Sequence, residues 1–284
     1  MSLEKFKTEL INEGLSKSTI RQYLNDLRLF GEWFETTTED EFLPQNITTY
    51  DVSGYKEHLL AKGCKPATVN RYLASLTKFC EWAVEKELIS SNPVRKIKGI
   101  KEVKTAPKAL TKNDLRRFLR EVHKGGKLRD IAIFELMANT GLRVGELVTL
   151  TLDDLEINQR SGTIVVRKGK GEKYRVVPLN LNVRNVISKY LSEHPQNTYL
   201  FRSQKGGPLT TYAVWNLVKK YARLAGLEMS PHTLRHTFAT LLLRSGEDIV
   251  KVATLLGHER LDTTARYTRP SLEEMTEAVE RLGL

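Results

Sequence analysis

The chain has 284 residues, enough for one large domain or two ordinary ones, each with a true core. Its 40% hydrophobic and 28% charged residues are those of a water-soluble globular protein, and no apolar run approaches the roughly 20 residues of a spanning helix. The charged start "MSLEKFKTEL" is not expected to act as a secretory signal, and Cys64 and Cys80 supply neither a disulfide framework nor a four-ligand zinc pattern. Both are expected to be buried thiols of a reducing compartment, the cytoplasm.

The net charge of +11 is unevenly spread, with 16 Lys+Arg against 15 Asp+Glu in residues 1–104 and 29 against 19 in residues 105–284. A basic second part suits a polyanion, because Lys and Arg that neutralise phosphates release condensed counterions. Charge alone also fits a basic protein with no such partner.

In chain order, residues 1–98 read as about four helices. "SLEKFKTELINEG" opens the set, followed by "STIRQYLNDLRLFGEWFE", where Ile20, Tyr23, Leu24, Leu27, Phe30 and Phe34 recur at helical spacing behind an expected Ser18 cap. "TTYDVSGYKEHLLAKG" turns Val52, Tyr55 and Leu59 inward and ends at Gly63. "KPATVNRYLASLTKFCEWAVEKELI" starts with Pro66 in its first turn and carries Val69, Leu73, Leu76, Phe79, Cys80 and Ala83 on one stripe. The aromatics are expected in the core rather than as stacking platforms.

"SNPVRKIKGIKEVKTAPKALT" breaks every period, so residues 99–110 read as a linker. Its lysines fit a strand tracking a phosphate backbone and a solvated tether equally well. From residue 111 helical patterns resume in "TKNDLRRFLREV", "KLRDIAIFELMANTG" and "RVGELVTLTLDDL". "TIVVRKGKGEKYRVVPL" interrupts them as two β-branched runs joined by a basic, glycine-rich turn, a hairpin. Helices then run through "LNVRNVISKYLSEH", "TTYAVWNLVKKYARLAG", "SPHTLRHTFATLLLRSG" and "DIVKVATLLGH". The tail 271–284 puts Leu272, Met275, Val279 and Leu282 on one face.

"HTLRH" has the histidine spacing of a zinc helix, but Thr233 stands where such a helix needs its glutamate and Arg235 brings a fixed positive charge. A metal is not expected, nor any other cofactor. An anion fits better, since a guanidinium matches phosphate and never deprotonates. Three other places share this character. "TGLRVGEL" sets Arg143 at a helix start with Glu146 one turn on, "RKGKGEK" raises Lys170 between glycines, and "LLGHERLDTTARYT" places His258 nine residues before Tyr267.

Taken in order, TGLR-x-G-E, the GKG-x-K-x-R-VPL hairpin, H-x-L-R-H, and LGH with a tyrosine at nine resemble the tyrosine site-specific recombinases (phage integrase family). The resemblance spans the chain and is strongest for the Xer-like and transposon cointegrate-resolvase types. It implies a mainly α fold with a small β-hairpin or sheet. A helical SAM-like core-binding domain (1–98) and an α+β catalytic domain (111–284) would form a two-domain clamp. The implied activity is metal- and ATP-independent cleavage and rejoining of DNA through a 3′-phosphotyrosyl link, with strand exchange between two sites through a Holliday junction. Tyr267 is implied as nucleophile, with His232 assisting its deprotonation. Arg143 and Arg235 clamp the phosphate, His258 supports the same oxygens, and Lys170 protonates the leaving 5′-oxygen.

Glu146 reads as orienting Arg143 in preference to moving a proton, and His236 as a supporting, hydrogen-bonded group. Lys65, Asn70, Arg71, Thr210 and Lys219 are candidate DNA contacts on two helices. The implied partners are double-stranded DNA with inverted-repeat core sites, a homotetramer joined through the tail, and an accessory protein or partner recombinase, with no membrane and a cytoplasmic, nucleoid-associated setting. The tail also fits packing against its own subunit. A type IB-like topoisomerase shares the nucleophile and clamp, and a catalytically idle DNA-binding regulator shares the fold.

Overall fold

The computed structural model describes residues 2–101, 109–167, 174–193, 198–203, 206–258, 261–265 and 267. Lys170, residues 102–108 of the expected linker and the tail residues Leu272, Met275, Val279 and Leu282 lie outside them. The chain forms two compact units, Met1–Lys104 and Thr105–Leu284.

The first unit is a bundle of α1 (Ser2–Asn12), α2 (Lys17–Thr38), α3 (Thr49–Ala61) and α4 (Pro66–Glu85). The cap of α2 is Ser16, not Ser18: its hydroxyl accepts from the Thr19 amide at 3.1 Å, which starts the helix two residues early. Thr48 and Asp51 form a capping box on α3, and Pro66 enters α4 where its missing N–H costs nothing. Phe6, Phe30, Phe34 and Phe79 are fully buried, Phe6 meeting Phe79 edge-on at 5.2 Å. Each aromatic removed from water contributes about 1.5–3 kcal/mol, which makes these rings the main cohesion of the bundle. Cys80 is buried as expected, whereas Cys64 is half-buried, since it follows the α3 C-terminus at the edge of the bundle.

Asp26 lies almost wholly buried in this unit and accepts from Arg71, from Ser75 at 2.8 Å and from Gln22 at 2.8 Å. Asn70 closes both halves of its amide on the Ile100 backbone, at 2.9 and 2.7 Å, and Lys56 bonds the Lys98 carbonyl. The chain leaving α4 is therefore tied to its own bundle as far as residue 100.

The second unit runs α5 (Lys112–Lys124), α6 (Leu128–Thr140), α7 (Val144–Thr149), β1 (Leu155–Ile157), β2 (Gly162–Arg167), β3 (Tyr174–Pro178), α8 (Leu181–Glu193), α9 (Thr211–Leu224), α10 (Pro231–Arg244), α11 (Ile249–Leu256) and α12 (Leu261–Ala265). The helical pattern expected through "RVGELVTLTLDDL" stops after six residues. Leu155–Ile157 instead adds a third antiparallel strand, with Leu155 opposite Ile164 and Ile157 opposite Gly162. Asp154 causes the break: it accepts from the Thr151 amide and hydroxyl at 2.9 and 2.8 Å, winding one tight turn ahead of the strand.

α6 is buried nearly all round, with Ile133, Phe134, Leu136 and Met137 inaccessible, and it packs on α5, α8 and α10. Such a helix is the axis of a unit rather than a surface strut. Among the described residues no helix is long and apolar enough to cross a membrane.

Candidate active site

Two helices end in the same way beside one another. α6 stops at Gly141 (φ +63°) and α11 stops at Gly257 (φ +64°), both left-handed, a conformation that costs a side-chain-bearing residue about 1–2 kcal/mol. A Cβ on Gly141 would lie 2.5 Å from the Phe238 ring, so packing as well as φ demands glycine there. These endings leave terminal carbonyls unpaired within their helices. Arg235, 4% exposed on α10, donates to the Gly141 and Leu256 carbonyls, both at 2.7 Å. The negative ends of two helix dipoles thus hold one buried guanidinium.

Arg143 caps α7. Glu146, three residues on, accepts from the Arg143 amide at 2.7 Å and from its guanidinium at 2.9 Å. A third arginine completes the group. Arg175 on β3 makes a two-pronged pair with Glu146 at 2.9 and 2.8 Å, while its Nε donates to the Leu255 carbonyl at 2.8 Å. Arg235 Nη1 stands 4.0 Å from the same carboxylate.

One carboxylate therefore sits among three guanidiniums, leaving an excess of two positive charges. Burial opposes ionisation of Glu146, but the bonds from Arg175 and Arg143 outweigh it and hold the carboxyl near pKa 2. Arg235 is lowered to about 10 by burial and then by Arg143, and remains a cation at neutral pH. Arg175 was not singled out from the sequence, although it is the arginine of the "GKGEKYRVVPL" motif. The signal was present, but an arginine in a strand reads as exposed until the Leu255 carbonyl is known to face it.

α10 starts with Pro231 behind Ser230, whose amide donates to Thr233 Oγ1 at 3.0 Å. Thr233, in the place of a zincin glutamate, is thus a helix cap. His232 is exposed in the first turn, and its ring lies 6.4 Å from that of His236. His236 Nδ1 is 2.9 Å from the Tyr267 hydroxyl, so the histidine that meets the tyrosine is His236, with His232 one turn further out. The reason is helical geometry: four residues are one turn, and Tyr267 arrives at the second turn of α10.

Tyr267 follows α12, its amide bonded to the Thr264 carbonyl at 2.9 Å. Its ring stacks near that of His258 at 6.3 Å. His258 Nδ1 contacts Thr264 Oγ1 at 2.8 Å, and burial, then Arg235 and Arg143, push its pKa down to about 4. At neutral pH it is an uncharged ring. Arg143, Glu146, Arg175, Arg235, His236, His258 and Tyr267 are thus joined by direct contacts or electrostatic reach. Among the described residues no group of three His, Cys, Asp or Glu is arranged to hold a metal ion.

The candidate groove contacts lie in different settings. Asn70 and Arg71 are half-buried and bonded to Ile100 and Asp26. Thr210 caps α9, accepting from the Ala213 amide at 3.1 Å. Lys65 and Lys219 are exposed, Lys219 lying 5.3 Å over the Trp215 ring, and Tyr212 on the same helix is also exposed.

Known proteins resemble this chain in sequence and fold. Residues 108–274 match the family described as "Phage integrase family", and residues 3–87 match "Phage integrase, N-terminal SAM-like domain". The chain is 35% identical over 287 residues to tyrosine recombinase XerA of Pyrococcus horikoshii, covering 99% of this chain and 93% of that protein. It is 35% identical over 271 residues to tyrosine recombinase XerD of Listeria monocytogenes, covering 91% and 90%. Among solved structures, XerH site-specific recombinase bound to its difH substrate superposes with TM-score 0.75 at 27% identity, over 98% of this chain and 83% of that one. A lambda integrase dimer bound to a COC′ core site shares the fold at 18% identity, TM-score 0.73, over 94% and 75%. The chain belongs to the phage integrase family and is a tyrosine recombinase.

Proposed function

We propose that this protein is a site-specific recombinase that binds duplex core sites and breaks and rejoins them through Tyr267. The observation that carries the reading is the cluster of Arg143, Arg175 and Arg235 about a single Glu146, beside Tyr267 and His258. A phosphodiester passing to a pentacoordinate transition state gathers negative charge on its non-bridging oxygens. A preorganised, partly buried set of guanidiniums with a net charge of two meets that charge without reorganising.

In this reading the Tyr267 oxygen attacks phosphorus, the bond to the 5′-oxygen breaks, and a 3′-phosphotyrosyl link forms. Arg143 and Arg235 clamp the oxygens, and His258, uncharged with Nδ1 engaged by Thr264, offers Nε2 to one of them. His232, exposed in the first turn of α10, would assist removal of the Tyr267 proton. Lys170 protonates the leaving oxygen. The link conserves the energy of the broken bond, so a new 5′-hydroxyl can reverse the step without ATP.

We assign residues 1–98 to the core-binding domain, 99–110 to the linker and 111–284 to the catalytic domain. Four copies would assemble on two paired sites, with an accessory protein or partner recombinase where the sites require one. Each tail, 271–284, would dock on a neighbour in a cycle. A cleft of about 480 Å³ in the catalytic unit, with Leu115, Leu119, Phe238 and Leu242 in its wall, has the chemistry to receive the tail's apolar face. The work belongs in the cytoplasm, on the nucleoid.

A nicked suicide substrate tests the reading. Wild-type protein should accumulate a covalent adduct in chelator, and Tyr267→Phe none. A two-site plasmid should yield exchanged products. Relaxation of a one-site plasmid without exchange would favour a topoisomerase, and absence of any adduct a DNA-binding regulator.

A further inference from the structure

We propose that Arg175 is a positioning residue of the cleavage step, holding Arg143 through Glu146 and His258 through the Leu255 carbonyl in one frame. The role rests on the proposed recombinase reading, in which Arg143 and His258 meet the scissile phosphate. Side chains alternate along β3, so Tyr174 and Val176 are exposed while Arg175 between them turns to the inner face of the sheet, paired across the strands with Val166. There its side chain is only 9% exposed. Its fork is engaged within the protein: Nη1 and Nη2 donate to the two Glu146 oxygens at 2.9 and 2.8 Å, and Nε donates to the Leu255 carbonyl at 2.8 Å.

Each of these bonds ends one step from a clamp residue. Glu146 also accepts from the Arg143 amide and guanidinium, so the carboxylate that Arg175 fixes is the one that aims Arg143. Leu255 lies in the last turn of α11, where carbonyls have no partner within the helix. Arg235 donates to the next carbonyl, that of Leu256, so two arginines from different elements grip consecutive groups of one helix end. Gly257 then reverses the chain and His258 follows, its amide donating back to the Ala253 carbonyl at 3.0 Å. Arg175 packs directly on this turn, since a Cβ at Gly257 would lie 2.9 Å from its Nη1 and 3.0 Å from its Cδ. The sheet is thus tied to the start of α7 and to the end of α11 by a single side chain. A lysine ammonium at this place would keep the charge, but it has no planar fork to hold a carboxylate and a carbonyl at fixed angles.

Single-turnover cleavage of a suicide substrate at saturating protein, set beside duplex binding and thermal unfolding, tests the role. Arg175→Lys should bind duplex as the wild type does yet cleave about 100-fold slower, the effect of reacting groups misplaced by about 1 Å. Nitrogen-15 NMR gives a readout that stability alone does not move. The His258 midpoint, lowered to about 4 by burial and then by the arginines, should climb toward 6.5 in folded Arg175→Lys as the α11 end is released. Gly257→Ala keeps every donor but displaces the guanidinium; it should show both effects, and it decides the matter if the lysine variant unfolds. Combined with Glu146→Gln, Arg175→Lys should cleave no more slowly than the slower single variant, because Arg175 reaches Arg143 only through that carboxylate. Wild-type cleavage by folded Arg175→Lys, an unmoved His258 midpoint, or losses that multiply in the double variant would overturn the proposal. An adduct formed by Tyr267→Phe would instead overturn the nucleophile reading on which it rests.

Discussion

Glu146 and Arg175 face each other in a two-pronged ion pair, Nη1 to Oε1 at 2.9 Å and Nη2 to Oε2 at 2.8 Å, although 29 residues separate them. The pair joins the start of α7 to strand β3, and Arg143 shares the same carboxylate. Removing the carboxylate charge leaves guanidiniums unpaired in a half-buried place. Glu146→Gln should therefore lose about 3–5 kcal/mol of stability and most of its cleavage activity. Because the folded pKa is depressed to about 2, the contribution is present above the ordinary value of 4.5 and is lost as pH falls toward 2. Urea unfolding from pH 7 to pH 3 should show the gap between wild type and Glu146→Gln narrowing below pH 4.5. Parallel curves would contradict it.

Gly257 shows what its position demands when set beside Gly226. Both have left-handed backbones, φ +64° and +62°, but a Cβ on Gly257 would lie 2.9 Å from Arg175 Nη1, while one on Gly226 meets nothing within 4 Å. Gly226→Ala should lose about 1–2 kcal/mol with an unchanged cleavage rate, the conformational cost alone. Gly257→Ala should lose more and cleave at least about 10-fold slower, as displacing Arg175 removes charge from the developing phosphorane. Equal rates in the two variants would sever Arg175 from the chemistry.

His258 should titrate far below an ordinary histidine, near pH 4. A folded-state pKa lowered from 6.5 means that the unfolded chain binds the extra proton first, so falling pH between about 6.5 and 4 works against the fold. Nitrogen-15 NMR of the histidine side chains should show this ring neutral throughout pH 5–8. A midpoint above 6 would mean that the surrounding arginines do not reach it.

Arg71 and the exposed lysines should behave differently in DNA binding. Arg71→Ala strips Asp26 of its ion partner inside the bundle, which should cost about 3–5 kcal/mol and lower affinity equally for every sequence. Lys65→Ala and Lys219→Ala should leave stability unchanged and reduce the salt dependence of binding by about one unit of slope each. Calorimetry and salt titrations separate the two behaviours.

Much of the fold could be read without coordinates, because it rests on local pattern. The stripe from Ile20 to Phe34 repeats at 3.6 residues and buries one face whatever lies opposite. Pro66 and the Gly141 and Gly257 breaks punctuate helices through their own backbone preferences. Errors fell where a neighbour decided. Ser18 lost the α2 cap to Ser16 because hydroxyls two residues apart are equally able to cap. The third strand was missed because three residues carry too little periodicity, and only pairing with β2 makes "LEI" a strand.

The helical bundle, the hairpin, and the presence and order of Arg143, Arg235, His258 and Tyr267 are legible in the residues alone, since helix period, turn chemistry and residue type are properties of short stretches. It took the folded arrangement to bring Arg175 beside Glu146, Asn70 to the Ile100 backbone, Arg71 to Asp26 and His236 to Tyr267. Those outcomes depend on which carbonyls, carboxylates and rings are brought within 3 Å across tens of residues. That selection is made by packing, and no local stretch contains it.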